Sequence, residues 1–278
     1  MDISTGLTIL WYIQITMRPS RKPKPSPLMT PGFVRTVALA RDRVDSFDEY
    51  PFDIPAIKNL GTLKIDPRVT FFVGENGSGK STLVEGIAVA AGFNAEGGTK
   101  NFDFATRESH SSLSSALSIA RGVNRETDGF FLRAESLYNV ATQLDNMQEE
   151  HPAALRYYGG KSLHEQSHGE SFIALISNRF REHGLFILDE PEAALSPSRQ
   201  IMLLKLIDHL TRKAGSQFII ATHSPILLAY PDALIYGLDE HGIAPIKHED
   251  TEHYRITLDF LTNRETYLRH LFNDDEEG

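Results

Sequence analysis

Cysteine is absent from the 278 residues. Its absence excludes disulfides, thiolate metal sites and cysteine nucleophiles, and it is compatible with a reducing cytoplasm, the expected compartment. Long apolar runs are missing as well. The best rival to the roughly eighteen residues of a membrane span is LTILWYI at residues 7–13, broken by polar neighbours within a turn or two. The start at Met1-Asp2 has no positive segment of the kind that opens a signal peptide. Positive charge is in short supply overall: 28 basic residues face 37 acidic ones, a net −9, the wrong sign for coating nucleic acid by bulk charge. A local basic face remains open. No internal repeat is visible.

What is present suits a soluble globular protein: 41% hydrophobic and 23% charged residues, enough for one large domain or two small ones. Residues 1–32 carry the proline-rich basic stretch RPSRKPKPSP, where proline opposes regular helix and like charges repel. This reads as a disordered leader or a mis-assigned start, with Met17 and Met29 as other possible starts, and a basic recognition arm as the rival. Residues 33–271 read as one domain, with 92–183 as its helical region and 272–278 as an acidic, frayed tail.

Within that domain, FVRTVALARDRV, TLKI and VTFFV predict a small antiparallel sheet feeding a buried strand at 69–73. SSLSSALSIARG predicts a helix. FFLRA, GLFILD and QFIIAT read as strands, LIYGL and IAPIK as a terminal strand pair, and ESLYNVATQLDNMQEE, GESFIALISNRFREH and PSRQIMLLKLIDHLTRKAG as helices. Strands alternating with helices predict an α/β fold, a mainly parallel sheet flanked by helices, with the small antiparallel β-subdomain at its side.

The stretch GENGSGKS fits the pattern G-x-x-x-x-G-K-[ST], and it stands between an apolar strand and a helix whose Leu83, Ile87 and Ala90/Ala91 have helical spacing. In that setting backbone amides surround a β-phosphate, Lys80 reaches the β/γ oxygens and the Ser81 hydroxyl ligates Mg²⁺. GLFILDEPEAALS delivers adjacent carboxylates at a strand end. Asp189 can hold Mg²⁺ through water and Glu190 can orient and deprotonate an attacking water. His223 closes the next strand, 34 residues on, where an imidazole can bond a γ-phosphate. Upstream of Asp189 by 22 residues, QSHGES opens an apolar helix. Ser167 and Gly169 make a second anion site that one phosphate loop does not need but two facing chains do.

In this order the GENGSGKS loop with Lys80, SHGES, LDEPEAALS and ATHSP resemble the ATP-binding-cassette (ABC) P-loop ATPases. The likeness is greatest to the stand-alone soluble branch related to Rad50/SMC heads, the small predicted AAA-family ATPases of bacteria. GFNAEGGTKNF and DGFFLRAES also look like that group, and the likeness spans about residues 33–271. It implies a P-loop NTPase with ATP and Mg²⁺ as its ligands and hydrolysis of ATP as its activity. Gly74, Glu75, Asn76, Gly77, Ser78, Gly79, Lys80, Ser81 and Thr82 would form the Walker A loop. Ser167, Gly169 and Glu170 would be the signature acting in trans, Asp189 and Glu190 the Walker B pair, and His223 the switch. Lys80, Glu190 and His223 would be catalytic, with Ser81, Asp189 and Glu135 on the metal side.

Three departures stand out. His168 replaces the first signature glycine, Ser196 stands where the D-loop usually has Asp, and no Gln directly follows FFLRA, so Glu135 or Gln143 takes the Q-loop place. Tyr50 or Phe52 would stack on adenine.

The implied activity is that of a soluble ATPase forming a head-to-tail homodimer on ATP. Its motion would act on nucleic acid, in repair or defence, or on a partner protein. The alternative is the ATP-binding subunit of a transporter, against which the missing Gln and altered SHGES count. A P-loop kinase fits less well, since Glu190 beside Asp189 suits water activation. The 85 residues between Ser81 and Ser167 leave no room for a long coiled-coil arm.

Overall fold

The computed structural model describes residues 32–100, 112–133, 172–173, 176–177 and 180–273. Its main sheet is built from runs apolar enough to be buried on both faces. Strands β3 (Val69–Gly74), β5 (Asp128–Arg133), β6 (Gly184–Asp189), β7 (Gln217–Ala221), β8 (Leu234–Asp239) and β9 (Gly242–Pro245) lie in the order β5-β6-β7-β3-β8-β9. All neighbours are parallel except the β8–β9 pair, whose short connection only antiparallel strands can use. The C-terminal ends of β3, β6 and β7 therefore meet at one sheet edge, where α/β sheets place their ligands.

Side chains alternate between two cores, as strand geometry requires. Phe72, Leu185, Ile187, Ile219 and Ala221 face one side, with Leu83, Val84 and Ile87 of helix α2 (Lys80–Ala90). Phe71, Phe186, Leu188, Phe218 and Ile220 face the other, with Leu203, Ile207 and Leu210 of helix α4 (Pro197–Arg212). On that second side the rings of Phe180 and Phe186 stack with centroids 4.0 Å apart. Each fully buried Phe of this layer contributes about 1.5–3 kcal/mol of transfer free energy.

A second, three-stranded antiparallel sheet has the order β2-β1-β4, from β1 (Val34–Leu39), β2 (Thr62–Lys64) and β4 (Leu117–Arg121). Gln217 fastens it to the main sheet. Its buried amide accepts from the Val34 N–H at 2.9 Å and donates to the carbonyls of Val34 and Asp66, both at 2.8 Å.

Three expectations are corrected here. SSLSSALSIARG is not one helix: only Leu113–Ala116 (α3) is helical, and Leu117–Arg121 pairs antiparallel with β1, Val37 opposite Ile119 and Ala38 opposite Ser118. The open edge of β1 takes the segment, a long-range contact that local helix propensity does not register. FVRTVALARDRV keeps its strand only to Leu39, after which Arg41–Arg43 form a 3-10 turn. Of GESFIALISNRFREH, the described Phe172, Ile173, Ile176 and Ser177 are helical, whereas residues 180–183, expected as the end of that helix, are not and instead lead by a turn into β6. ESLYNVATQLDNMQEE lies outside the described residues, as do the leader through residue 31 and residues 274–278 of the tail. Elements that sequence patterning did not assign are the one-turn helices α1 (Pro55–Lys58) and α5 (Pro225–Leu228) and the C-terminal pair α6 (Glu252–Thr262) and α7 (Arg264–Asn273). Among the described residues no helix is long and apolar enough to cross a membrane.

Candidate functional site

The loop after β3 is shaped by where its glycines must go. A Cβ on Gly74 would stand 2.4 Å from the Leu238 carbonyl oxygen of neighbouring β8, so the chain passes there only without a side chain. Gly79, at φ +94°, caps α2 in the left-handed region that glycine enters without steric cost. No side chain caps this helix, which leaves its first-turn amides open to an anion. The Ser78 hydroxyl is enclosed in the loop without a hydrogen-bond partner.

Lys80, 4% exposed, donates from Nζ to the Glu75 carbonyl of its own loop at 2.9 Å. Burial lowers the pKa of its ammonium, while the surrounding Glu190, Asp189, Glu75 and Glu192 pull it back up.

β6 carries the carboxylates. Asp189 is buried at the strand end, where its Oδ1 accepts from Ser81 Oγ at 3.0 Å and its Oδ2 lies 3.5 Å from Arg133 Nε. Arg133 in turn donates to Glu85 Oε2 of α2 at 2.8 Å. Glu190 sits in the left-handed region (φ 48°, ψ 52°), uncommon for a residue with a Cβ and a mark of a constrained turn. Its N–H is held by the Ala221 carbonyl at 3.0 Å. Beyond it the Glu192 carboxyl accepts the His223 backbone N–H at 2.5 Å, with its other oxygen enclosed and unpartnered. Burial first, then the charge of Glu190, raises the Glu192 pKa; hydrogen bonds from the His223 N–H, its own backbone and Thr222 oppose the rise.

His223 follows β7, whose end is tied to β3 by the Thr222 N–H to Phe72 carbonyl bond of 3.0 Å. Its Nε2 lies 3.2 Å from Glu190 Oε1 and its Nδ1 lies 2.8 Å from His253 Nε2 of α6. Burial and the Lys80 charge lower the His223 pKa, with Glu190 opposing them. A cleft of about 620 Å³ beside the loop is lined by Glu75 to Ser78, Leu238 to His241 and Asp250 to His253.

Thus the structure brings together Lys80, Ser81, Asp189, Glu190 and His223. The remaining loop residues expected run from Gly74, the last residue of β3, through Gly79, with Thr82 in the first turn of α2. Ser167, Gly169, Glu170, Glu135 and Gln143 lie outside the described residues. The two aromatic candidates separate: Phe52 is buried edge-on against Phe47, whereas Tyr50 is 66% exposed with its hydroxyl 3.3 Å from Thr82 Oγ1.

Three site residues escaped sequence reasoning: Arg133, Glu192 and His253. Arg133 had no local signal, because only the parallel pairing of β5 with β6 sets it opposite Asp189. Glu192 lay in view within LDEPEAALS as a second carboxylate two residues past Glu190. His253 had none, being far along the chain with no local motif.

The donor set fits Mg²⁺. Two hard oxygens, Ser81 Oγ and Asp189 Oδ1, stand side by side, and no larger His/Asp/Glu cluster exists among the described residues. Mg²⁺ takes few protein ligands and completes its shell with water and phosphate.

Comparison with known proteins gives two family matches. Residues 51–143 match a model described as "AAA domain", and residues 156–229 one described as "AAA domain, putative AbiEii toxin, Type IV TA system". The chain is similar to "Thiamine import ATP-binding protein ThiQ" of Brucella abortus and Brucella suis, 33% identical over 72 residues, 26% of this chain and 30% of those proteins. It thus spans about 30% of the length of the curated relatives it matches.

Among solved structures it is similar to the SMC head domain from Thermotoga maritima, with 16% identity, 77% of this chain and 99% of that chain covered, and TM-score 0.43. It is also similar to MJ0796, described as a bacterial ABC transporter cassette, with 18% identity, 69% and 91% covered, and TM-score 0.42. Fold and site together define a class: an α/β domain with a phosphate-binding P-loop, two segments of which match AAA-domain models.

Proposed function

We propose that this chain binds ATP with Mg²⁺ and hydrolyses it to ADP and phosphate. The observation that supports this reading most is the convergence of Lys80, Ser81, Asp189, Glu190 and His223 from three strand ends onto one loop. Lys80 would leave the Glu75 carbonyl for the β/γ oxygens, while loop amides and the Ser78 hydroxyl take the phosphates. Ser81 and Asp189 would hold Mg²⁺, which when bound neutralises charge on those oxygens. Glu190 orients a water and accepts its proton as the water oxygen bonds to the γ-phosphorus. The bond to the β-bridging oxygen breaks, and ADP carries away the electron pair. His223 donates to the γ-phosphate. Exposed Tyr50 stacks on adenine.

The competent species is a head-to-tail homodimer. Ser167, Gly169 and Glu170 of one protomer would close on the γ-phosphate in its partner's loop, so that ATP joins the copies and hydrolysis parts them. This cycle would serve as a switch on nucleic acid, in repair or defence, or on a partner protein. A transporter ATP-binding subunit is the second reading, favoured by the 33% identity to ThiQ over its short span.

Glu190→Gln should retain ATP binding and accumulate an ATP-loaded dimer by light scattering; a monomer at saturating ATP would contradict the switch. Ser167→Arg should abolish turnover while the isolated subunit still binds ATP, measured by equilibrium binding. Equal loss of binding would mean that this segment does not act across a seam.

A further inference from the structure

The hydrogen bond between His223 Nδ1 and His253 Nε2, 2.8 Å long, joins the switch position to helix α6, whose residues lie far along the chain from the loop and the carboxylates. Between two imidazoles only one nitrogen can carry the shared hydrogen, so the direction of this bond decides which His223 nitrogen is protonated. On the far side of the ring Nε2 faces Glu190 Oε1 at 3.2 Å, and a carboxylate oxygen only accepts. We infer that His253 is a positioning residue: its Nε2–H donates to His223 Nδ1 and thereby holds His223 as the tautomer whose hydrogen sits on Nε2.

The opposite assignment would set a bare Nε2 against the Glu190 oxygen, two acceptors in contact. An imidazolium would satisfy both neighbours, but burial and the nearby Lys80 ammonium disfavour a charge on His223. The fold also holds His253 in place. The 3-10 turn His248–Asp250 leads into α6, and His248 Nε2 bonds the Pro225 carbonyl at 3.0 Å, two residues beyond His223. His248 packs on Tyr254 with ring centroids 4.4 Å apart, and Thr251, buried, bonds back to the His248 carbonyl at 2.7 Å. The loop bearing the switch and the first turn of α6 are thus one fastened unit. A tautomer-fixing neighbour matters because a γ-phosphate, like Glu190, offers only acceptor oxygens to Nε2. This consequence rests on the hydrolytic reading above, whereas the tautomer itself does not.

The test is ¹⁵N spectroscopy on the histidine-labelled chain without nucleotide, His223 being assigned by comparison with His223→Ala. Wild type should show Nδ1 in the bare-nitrogen range and Nε2 in the N–H range. His253→Leu should move both resonances toward a tautomer mixture, and His253→Gln, whose amide nitrogen can take the place of Nε2–H, should restore them. In turnover, His253→Leu should lower kcat for ATP by about 10–100-fold, the size of effect known for partners that orient metal-bound histidines, with KM unchanged and His253→Gln rescuing. A wild-type His223 protonated on Nδ1, or a His253→Leu spectrum identical to wild type, would overturn the inference. Were wild type to show the expected tautomer and the expected shift yet no hydrolysis, this inference would stand and the proposed function would fall.

Discussion

Glu192 shows how one side chain can be both useful and costly. It anchors the backbone of His223 through one oxygen while the other is enclosed without a partner, which is why burial holds its pKa above the ordinary carboxylate value. A carboxyl raised in the folded state binds protons there more tightly than in the unfolded chain. Its stabilising contribution is complete below the unfolded value of about 4.3, and is lost as pH rises through the raised folded value. Glu192→Gln keeps an acceptor for the His223 N–H and removes the charge. Thermal melts should therefore show wild type losing stability relative to Glu192→Gln as pH climbs from about 4.3 toward neutrality. A difference constant over that range would contradict the burial argument.

At this scale the sequence exposed chemistry wherever a motif bundled it. The loop with Lys80 and Ser81, the Asp189-Glu190 pair and His223 were all visible as local strings. Arg133 and His253 were not, because their relevance comes from β5 lying beside β6 and from α6 packing against the loop after β7.

Elements differ in how much of their structure is local. β3, β6 and β7 could be read directly, since runs such as VTFFV and GLFILD bury every residue and suit a sheet covered on both faces. The 16-residue α4 could be read from its amphipathic spacing and its opening proline. β4 could not: LSIAR follows a serine-rich stretch of fair helix propensity, and only the edge of β1 makes it a strand.

The joint between the two sheets is equally non-local and rests on Gln217. Gln217→Leu would leave the Val34 N–H and the Val34 and Asp66 carbonyls without their bonds, each costing about 1–3 kcal/mol when buried and unpaired. Urea denaturation should show a loss of about 2 kcal/mol or more. A loss within about 0.5 kcal/mol, typical of an innocuous surface change, would mean that the small sheet is held by its apolar contacts alone.

For the molecule as a whole, strand and helix alternation gave the fold class, but the order β5-β6-β7-β3-β8-β9 is a property of long-range pairing. That order matters to function: β3 and β6 are not neighbours, and β7 between them is what places His223 beside Glu190 and sets Asp189 against Ser81 across the gap. The central claim is that this edge hydrolyses ATP with Glu190 as the base. It is tested most directly by phosphate release from ATP by the 278-residue chain, with and without Mg²⁺, wild type beside Glu190→Gln, and ATP binding measured in parallel. Expected is Mg²⁺-dependent release by wild type, with ATP binding kept and release lowered by about 100-fold or more in the variant. Equal release from the two proteins, at equal ATP occupancy, would contradict it.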